Sequence, residues 1–458
     1  MNVLLLAATL VAGPGSLADM GTLPDGDLVR PISPVVLAAG APVASSSANV
    51  ATLSGLNLLS AFAGDGLPSR SPSEAGMSAE RLQVIDRIVS RGITAGGYPG
   101  ASVVVGRKGY SVYQKGFGHL DWTSSSQVVS PSETIYDLAS LTKVIATTTA
   151  AMILWEEGRL RLDAPVSAYI PDFTGGEKRR VTVRQLLTHQ SGLPAGRNLW
   201  RIAHTPAEAR KAVIETPLAR KPGTRVVYSD LGADMLGFVV ETAAGEKLDT
   251  FLEKRVYGPL GMTNTGFRPA RSLVQQVAPT EVSPPRGYRI RGEVHDENAF
   301  ALGGVAGHAG LFSTAADLSV FAQMMLNGGE YNGVRIVADS TVKLFTTRAA
   351  DTRALGWDTA DGQGGSGQFL SARAFGHTGF TGTSIWIDPE RDMFVVLLTN
   401  RVHAPRAPRS ATVIMDVRHD LTDAAALAVV DQPDLFRPML TSFRSDRREG
   451  WVPARRRR

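Results

Sequence analysis

Ser140 and Lys143 stand three residues apart in the stretch Tyr136-Asp137-Leu138-Ala139-Ser140-Leu141-Thr142-Lys143. On a helix that spacing puts both side chains on one face. An amine so close can take the hydroxyl proton and turn a poor nucleophile into an effective one. The pattern alone is weak, because a chain of this composition gives roughly 0.6 S-x-x-K matches by chance. A second match, Ser340-Thr341-Val342-Lys343, follows Val337-Ala338-Asp339. There Asp339 or Ser340 reads as the N-cap of an amphipathic helix.

Two other stretches offer partners. Tyr228-Ser229-Asp230 lies between a strand-like run and a helix. A tyrosine near a serine and a lysine can relay or accept the proton. His377-Thr378-Gly379-Phe380 comes just before a strand. Its glycine lets a substrate approach the backbone, where the Phe380 N–H can donate to an oxyanion. Taken singly, Tyr228 reads as a core tyrosine and His377 as an incidental residue of a glycine-rich turn. His295-Asp296-Glu297 lacks a second histidine at helical spacing and reads as a polar loop near the cleft mouth, not a metal site. His189 and His308 sit in glycine-containing turns and read as structural. There is no G-x-S-x-G elbow and no Walker-type lysine behind a glycine pair, so neither α/β-hydrolase chemistry nor phosphate cradling is supported.

The elements that must hold these groups follow from periodicity. The stretch after Ser140 runs apolar all round to near Gly158, which predicts one buried helix with Ser140 at its N-terminus. Order is expected from Met77, with Ser78 capping a first helix. Gly100–Gly106 and Tyr110–Tyr113 read as a hairpin about Arg107-Lys108-Gly109. Helices are predicted at Val181–Leu187, Pro206–Ile214, Leu231–Ala244, Leu248–Val256 and Ala315–Asn327. Strands return at Thr383–Ile387 and Met393–Leu398, and a helix over Ala411–Val430 closes the chain. Strands early and late with helices between predict an α/β fold of the α+β type. An antiparallel sheet of five or more strands is completed by both chain ends, flanked by helices and joined to an all-helical region, with the site between them.

Together and in this order, the three stretches resemble the S-x-x-K, Y-x-N and [KH]-T-G motifs of the serine β-lactamase and penicillin-binding-protein superfamily. The spacing is similar to that of class C β-lactamases and their relatives, as are Leu186–Pro194 (LLTHQSGLP) and Leu302–Leu318 (LGGVAGHAGLFSTAADL). The resemblance covers roughly Met77 to Val430. It implies Ser140 as the acylated nucleophile, Lys143 as the group that helps deprotonate it, and Tyr228 as general base or proton relay. It also implies an oxyanion hole from the Ser140 and Phe380 N–H groups, with Asp230, His377, Thr378 and Gly379 along the substrate. The implied reaction is hydrolysis of a small ester, amide or peptide through an acyl-enzyme, with no cofactor and no metal. Two departures bear on substrate. Asp230 stands where the family often has Asn, and a carboxylate cannot donate a hydrogen bond to a substrate carbonyl. His377 replaces a lysine, removing a permanent positive charge. Both point away from a dedicated β-lactamase toward an esterase or broad hydrolase, with DD-peptidase or D-aminopeptidase next. The rival of a different class is a penicillin-recognising sensor that acylates with little turnover.

Composition bounds the rest. With 458 residues, 43% hydrophobic and 20% charged, the chain is long enough for one large or two interleaved domains. From Arg437 to Arg458 eight arginines face two acids, and that excess is larger than the formal +5 of the whole chain. The basic charge is therefore a tail, not a nucleic-acid-binding face; it reads as a disordered end that could touch anionic surfaces. No cysteine is present, which excludes disulfides and a thiol nucleophile. Met1–Gly13 resembles a secretory signal core without its positive start, so a periplasmic or secreted location is expected, with a cytoplasmic one as the alternative. The apolar runs fall short of the ~20 residues of a membrane span. The expected layout is a leader and disordered linker over 1–76, a hydrolase domain over 77–430 and a basic tail over 431–458.

Overall fold

The computed structural model describes residues 65–283, 285–403 and 410–447. Most of the expected leader and the arginine-rich end of the tail lie outside the described residues.

The strands are β1 (Gly100–Arg107), β2 (Tyr110–Gly118), β3 (Tyr136–Asp137), β4 (Gly266–Phe267), β5 (Leu311–Ser313), β6 (Glu330–Tyr331), β7 (Val334–Arg335), β8 (Asp358–Thr359), β9 (Phe375–Thr378), β10 (Ser384–Asp388) and β11 (Met393–Thr399). Six form an antiparallel sheet in the order β2-β1-β11-β10-β9-β8. The early hairpin and the late strands thus meet through β1 and β11, as the alternation of element types predicted. In β1, Val103 and Val105 point to one face and Val104 to the other, the period of two that a pleated strand imposes. The first face packs with Met393, Val395 and Leu397 against helices α1 (Val84–Thr94) and α5 (Ser410–Leu427). The opposite face, with Phe394, Val396 and Leu398, joins the larger core around α2 (Thr149–Glu156), α3 (Asp230–Ala244) and α4 (Ala315–Leu326). A small sheet, β3-β5-β4, carries the approach to Ser140.

Three local differences from the sequence reading have physical causes. The stretch from Ser140 to Trp155 is not one α-helix. A 3₁₀ turn over Ala139–Leu141 leads into a π-helical segment over Lys143–Thr148, and only then into α2. The wider register is matched by Thr149 Oγ1, which donates to the Val144 carbonyl five residues back at 2.9 Å. Gly158, at φ +72°, closes the helix as expected. The second S-x-x-K helix begins at Asp339, and its N-cap is Ala338, without a side-chain cap. The Ala338 N–H itself donates to Glu156 at 2.8 Å. Finally, order reaches beyond both expected limits. Leu67 is buried ahead of Met77. At the other end Phe443 is buried, Asp446 pairs with Arg87 and Arg91, and Asp420 accepts from the Arg444 and Ser445 N–H groups. A net-charge argument could not see that residues 431–447 meet complementary partners. Among the described residues no helix is long and apolar enough to cross a membrane.

Candidate active site

The path to Ser140 is shaped by Asp137. Its carboxylate accepts from the Ala139 N–H at 2.8 Å and from the His295 N–H at 2.6 Å. Ala139 is thereby held at φ +47°, unusual for a residue with a Cβ. Ser140 follows in the 3₁₀ turn, half-buried, with Lys143 one turn on.

Three oxygens accept from the Lys143 ammonium, Ser140 Oγ at 2.9 Å, the His308 carbonyl at 3.1 Å and Asp230 Oδ1 at 2.7 Å, and the Tyr228 side chain is a further hydrogen-bond partner. The three oxygens match in number the three N–H donors of a charged lysine. Its nitrogen lies 4.8 Å from the centre of the Tyr228 ring. Burial works against the charge, but Tyr228 and Asp230 outweigh it and hold the lysine above its ordinary range. The resting lysine is therefore an ammonium. As an amine it would keep two N–H bonds for His308 and Asp230 and turn its lone pair to Ser140. The S-x-x-K spacing brings the pair together as predicted. Asp230, expected beside the substrate, is also the counter-ion of Lys143.

Tyr228 is set by its neighbours. Ser229 caps α3 through the Gly232 N–H and donates to the Pro194 carbonyl at 2.7 Å. His189 Nδ1 accepts from the Ser229 N–H at 3.1 Å, and its ring lies 4.7 Å from that of Tyr228. Burial, with Arg353 and Lys143 nearby, pushes the His189 pKa well down, so it stays the neutral acceptor this bond requires. The structural role expected of His189 is a specific one: it anchors the tyrosine loop.

The turn after β9 is stitched to the serine. Thr381 Oγ1 donates to the Asp137 carbonyl at 2.7 Å and Thr383 Oγ1 to the Leu138 carbonyl at 2.9 Å. A Cβ at Gly379 would strike Thr383 Oγ1 and the Leu138 carbonyl, so only glycine permits this approach. From behind, the buried Arg418 donates to the Gly379 and Thr383 carbonyls at 2.6 and 2.8 Å. Phe380 is 61% exposed, stacks on His295 and lies under Arg401. His377 is buried, not on an open substrate edge; its ring is 6.1 Å from Tyr228. Burial and the cations Arg353 and Lys143 hold its pKa well below the usual range, and it is neutral.

Arg353, absent from the sequence reading, brings back a permanent charge. Its guanidinium carbon is 5.3 Å from the Tyr228 ring centre, and Asp358 fixes it at 2.5 Å. Nothing local marks it, since it is one arginine in an irregular segment. Lys343 pairs with Asp339 on an exposed helix face. His295 bonds Glu281 at 2.7 Å, while Asp296 caps the helix Glu297–Ala301. Among the described residues no group of three or more His, Cys, Asp or Glu could hold a metal.

A buried lysine on a half-buried serine, a tyrosine beside it and a backbone turn braced against the serine form a site for nucleophilic acyl chemistry. Known proteins agree with that class. The Beta-lactamase family model matches residues 85–419. An Escherichia coli (strain K12) protein named "Putative D-alanyl-D-alanine carboxypeptidase" is 36% identical over 403 residues, covering 80% of this chain and 93% of its own. Among solved structures, the octameric penicillin-binding protein homologue from Pyrococcus abyssi superposes with a TM-score of 0.59 at 25% identity, covering 73% of this chain and 76% of its own. EstCE1, a hydrolase with promiscuous acyltransferase activity, shares the fold with a TM-score of 0.60 at 24% identity, over 74% of this chain and 99% of its own. The chain belongs to the beta-lactamase family of serine hydrolases.

Proposed function

We propose that this protein is a class C-related hydrolase that removes a C-terminal D-residue from cell-wall-like peptides through an acyl-enzyme on Ser140. The observation that carries this reading is Arg353. A guanidinium fixed by Asp358 beside Tyr228 offers a planar set of donors suited to a substrate carboxylate. The relative named "Putative D-alanyl-D-alanine carboxypeptidase" supports it. The apolar first residues fit a periplasmic or secreted site of action.

In the proposed cycle Tyr228 acts as a phenolate paired with the Lys143 ammonium: Ser140 Oγ attacks the scissile carbonyl carbon, and the phenolate oxygen takes its proton. Lys143, already an ammonium, offsets the charge that builds there. The carbonyl oxygen becomes an oxyanion facing the Ser140 and Phe380 N–H groups. Tyr228 returns the proton to the leaving amine as the C–N bond breaks. Water then repeats the sequence: Tyr228 takes its proton, hydroxide oxygen bonds to the acyl carbon, and Ser140 Oγ leaves with the returned proton. An ester lacking a carboxylate uses the same serine without Arg353, which is what separates the esterase reading.

The test pairs a D-Ala-D-Ala peptide bearing a free carboxylate with its C-terminal amide, beside a p-nitrophenyl ester and a cephalosporin. Adducts are followed by intact-mass spectrometry. The free acid is expected to be preferred by about 30-fold in kcat/KM, the scale of a hydrogen bond to a charged group. Arg353→Gln removes that preference, and Ser140→Ala abolishes both adduct and turnover. Turnover of the ester alone replaces this reading with an esterase, and a stable adduct without turnover replaces it with a sensor.

A further inference from the structure

His308 lies outside the three motifs, yet its main chain and side chain both enter the site. The carbonyl is one of the three oxygens around Lys143 Nζ, at 3.1 Å. The imidazole, 2% exposed, stands between two carboxylates: Nδ1 is 2.6 Å from Asp234 Oδ1, and Nε2 is 2.9 Å from Asp296 Oδ1. A carboxylate only accepts, so each ring nitrogen must carry a hydrogen to make both bonds. The ring is then an imidazolium compensated on both sides, the condition under which a charge is tolerated in a core. Burial opposes that charge, while Asp234 and Asp296 hold the pKa well above the ordinary histidine range.

The two carboxylates come from elements the site already uses. Asp234 is one turn beyond Asp230 on α3, so one helix face presents a carboxylate to Lys143 and the next to His308. Asp296 also accepts from the Asn298 and Ala299 N–H groups as the cap of its helix, which fixes the carboxylate's direction. The neighbouring residue is equally restrained. Thr147 Oγ1, from the π-helical segment after Lys143, donates to the Gly307 carbonyl at 2.7 Å. A Cβ on Gly307 would strike the Ala233 carbonyl, so the loop lies flat on α3.

We propose that His308 is a positioning residue for Lys143: the Asp234–His308–Asp296 clasp sets the His308 carbonyl as a fixed acceptor that aims the lysine nitrogen at Ser140. In both protonation states of the lysine, two N–H bonds are committed to His308 and Asp230. The remaining direction, a third N–H or a lone pair, then points to Ser140. Without the fixed carbonyl, the head group can turn about its flexible stem.

Replacing His308 alone would leave the buried Asp234 carboxylate uncompensated, beside a part-exposed Asp296, and endanger folding. The informative variant is therefore Asp234→Asn/Asp296→Asn/His308→Ala, in which the amide oxygen introduced at position 296 still caps the helix that follows. Acylation is read as the pre-steady-state burst with a p-nitrophenyl ester. Its saturating rate is expected to fall about 100-fold while the substrate Ks, from the concentration dependence of single-turnover acylation, stays within about twofold, the signature of lost alignment rather than lost binding. Acylation within about threefold of wild type in the folded variant overturns the proposal. A second measurement needs no variant. Neutron diffraction of the wild-type protein is expected to show deuterium on both His308 ring nitrogens and a Lys143 N–D directed at the His308 carbonyl. A bare ring nitrogen, or a lysine donating elsewhere, overturns it equally.

Discussion

Lys143 Nζ and Asp230 Oδ1 are 2.7 Å apart, and the carboxylate that departs from the family's usual asparagine is the lysine's counter-ion. The lysine is almost wholly buried and the aspartate about one-third exposed, so the pair is shielded mainly on the lysine side. An asparagine there could donate to a substrate carbonyl but could not hold the ammonium.

Asp230→Asn should therefore alter the pH profile. The carboxylate is one of the groups that raises the Lys143 pKa, so its loss moves that ionisation downward. The alkaline limb of kcat/KM is expected to shift to lower pH. Acylation by a cephalosporin should rise about tenfold, because the new amide can donate a hydrogen bond. A profile that stays in place would show that Asp230 does not govern the lysine.

Gly379→Ala tests the link between the serine and the turn. The added methyl meets the Leu138 carbonyl, a main-chain atom that cannot rotate away. Overpacking of this kind costs about 1–3 kcal/mol, and a shift of the Phe380 N–H should lower kcat by about 100-fold. Steady-state kinetics with a denaturation curve measures both, and an unchanged kcat refutes the coupling.

Asp317 offers a stability test. Burial pushes its carboxyl up to about 6, despite bonds from Thr265 and the Asn264 N–H. Its folded pKa exceeds the unfolded one, so its contribution is fully present below about pH 4 and is lost as pH rises to 6. Relative to Asp317→Asn, wild type should lose about 3 kcal/mol between pH 4 and pH 7. Urea unfolding of both proteins at the two pH values checks the sign. A gap between them that does not change with pH contradicts it.

The two S-x-x-K lysines should behave differently. Lys143→Ala is expected to reduce acylation by at least about 1,000-fold, whereas Lys343→Ala leaves it within about twofold. Lys343 sits on an exposed face paired with Asp339, far in chemistry from a buried nucleophile. Burst kinetics on both variants decides it, and equal losses would undo the choice of Ser140 over Ser340.

Much of the scaffold could be read directly. Ser78 as a cap, the hairpin of β1 and β2, α3, α4 and the run of β11 all follow from capping chemistry or period. The π-helical segment could not be read, because its threonines are compatible with an ordinary helix until Thr147 finds Gly307. Arg418 was equally hidden. It lies on the last long helix, and its role appears only where two carbonyls of the β9–β10 turn converge on it.

By itself the sequence singled out Ser140, Lys143 and Tyr228 as candidates and pointed to the family, because those depend on residue type and on short helical spacing. Only the tertiary structure decided the electrostatics of the site. Asp230, Asp234, Asp296, His308 and Arg353 are all far along the chain from Lys143, yet lie within a few ångströms of the lysine, the tyrosine or each other. Charge interactions fall with distance through space and strengthen as water is excluded. Neither quantity is written in the order of residues, so the charge state of Lys143 emerged only when the fold was in place.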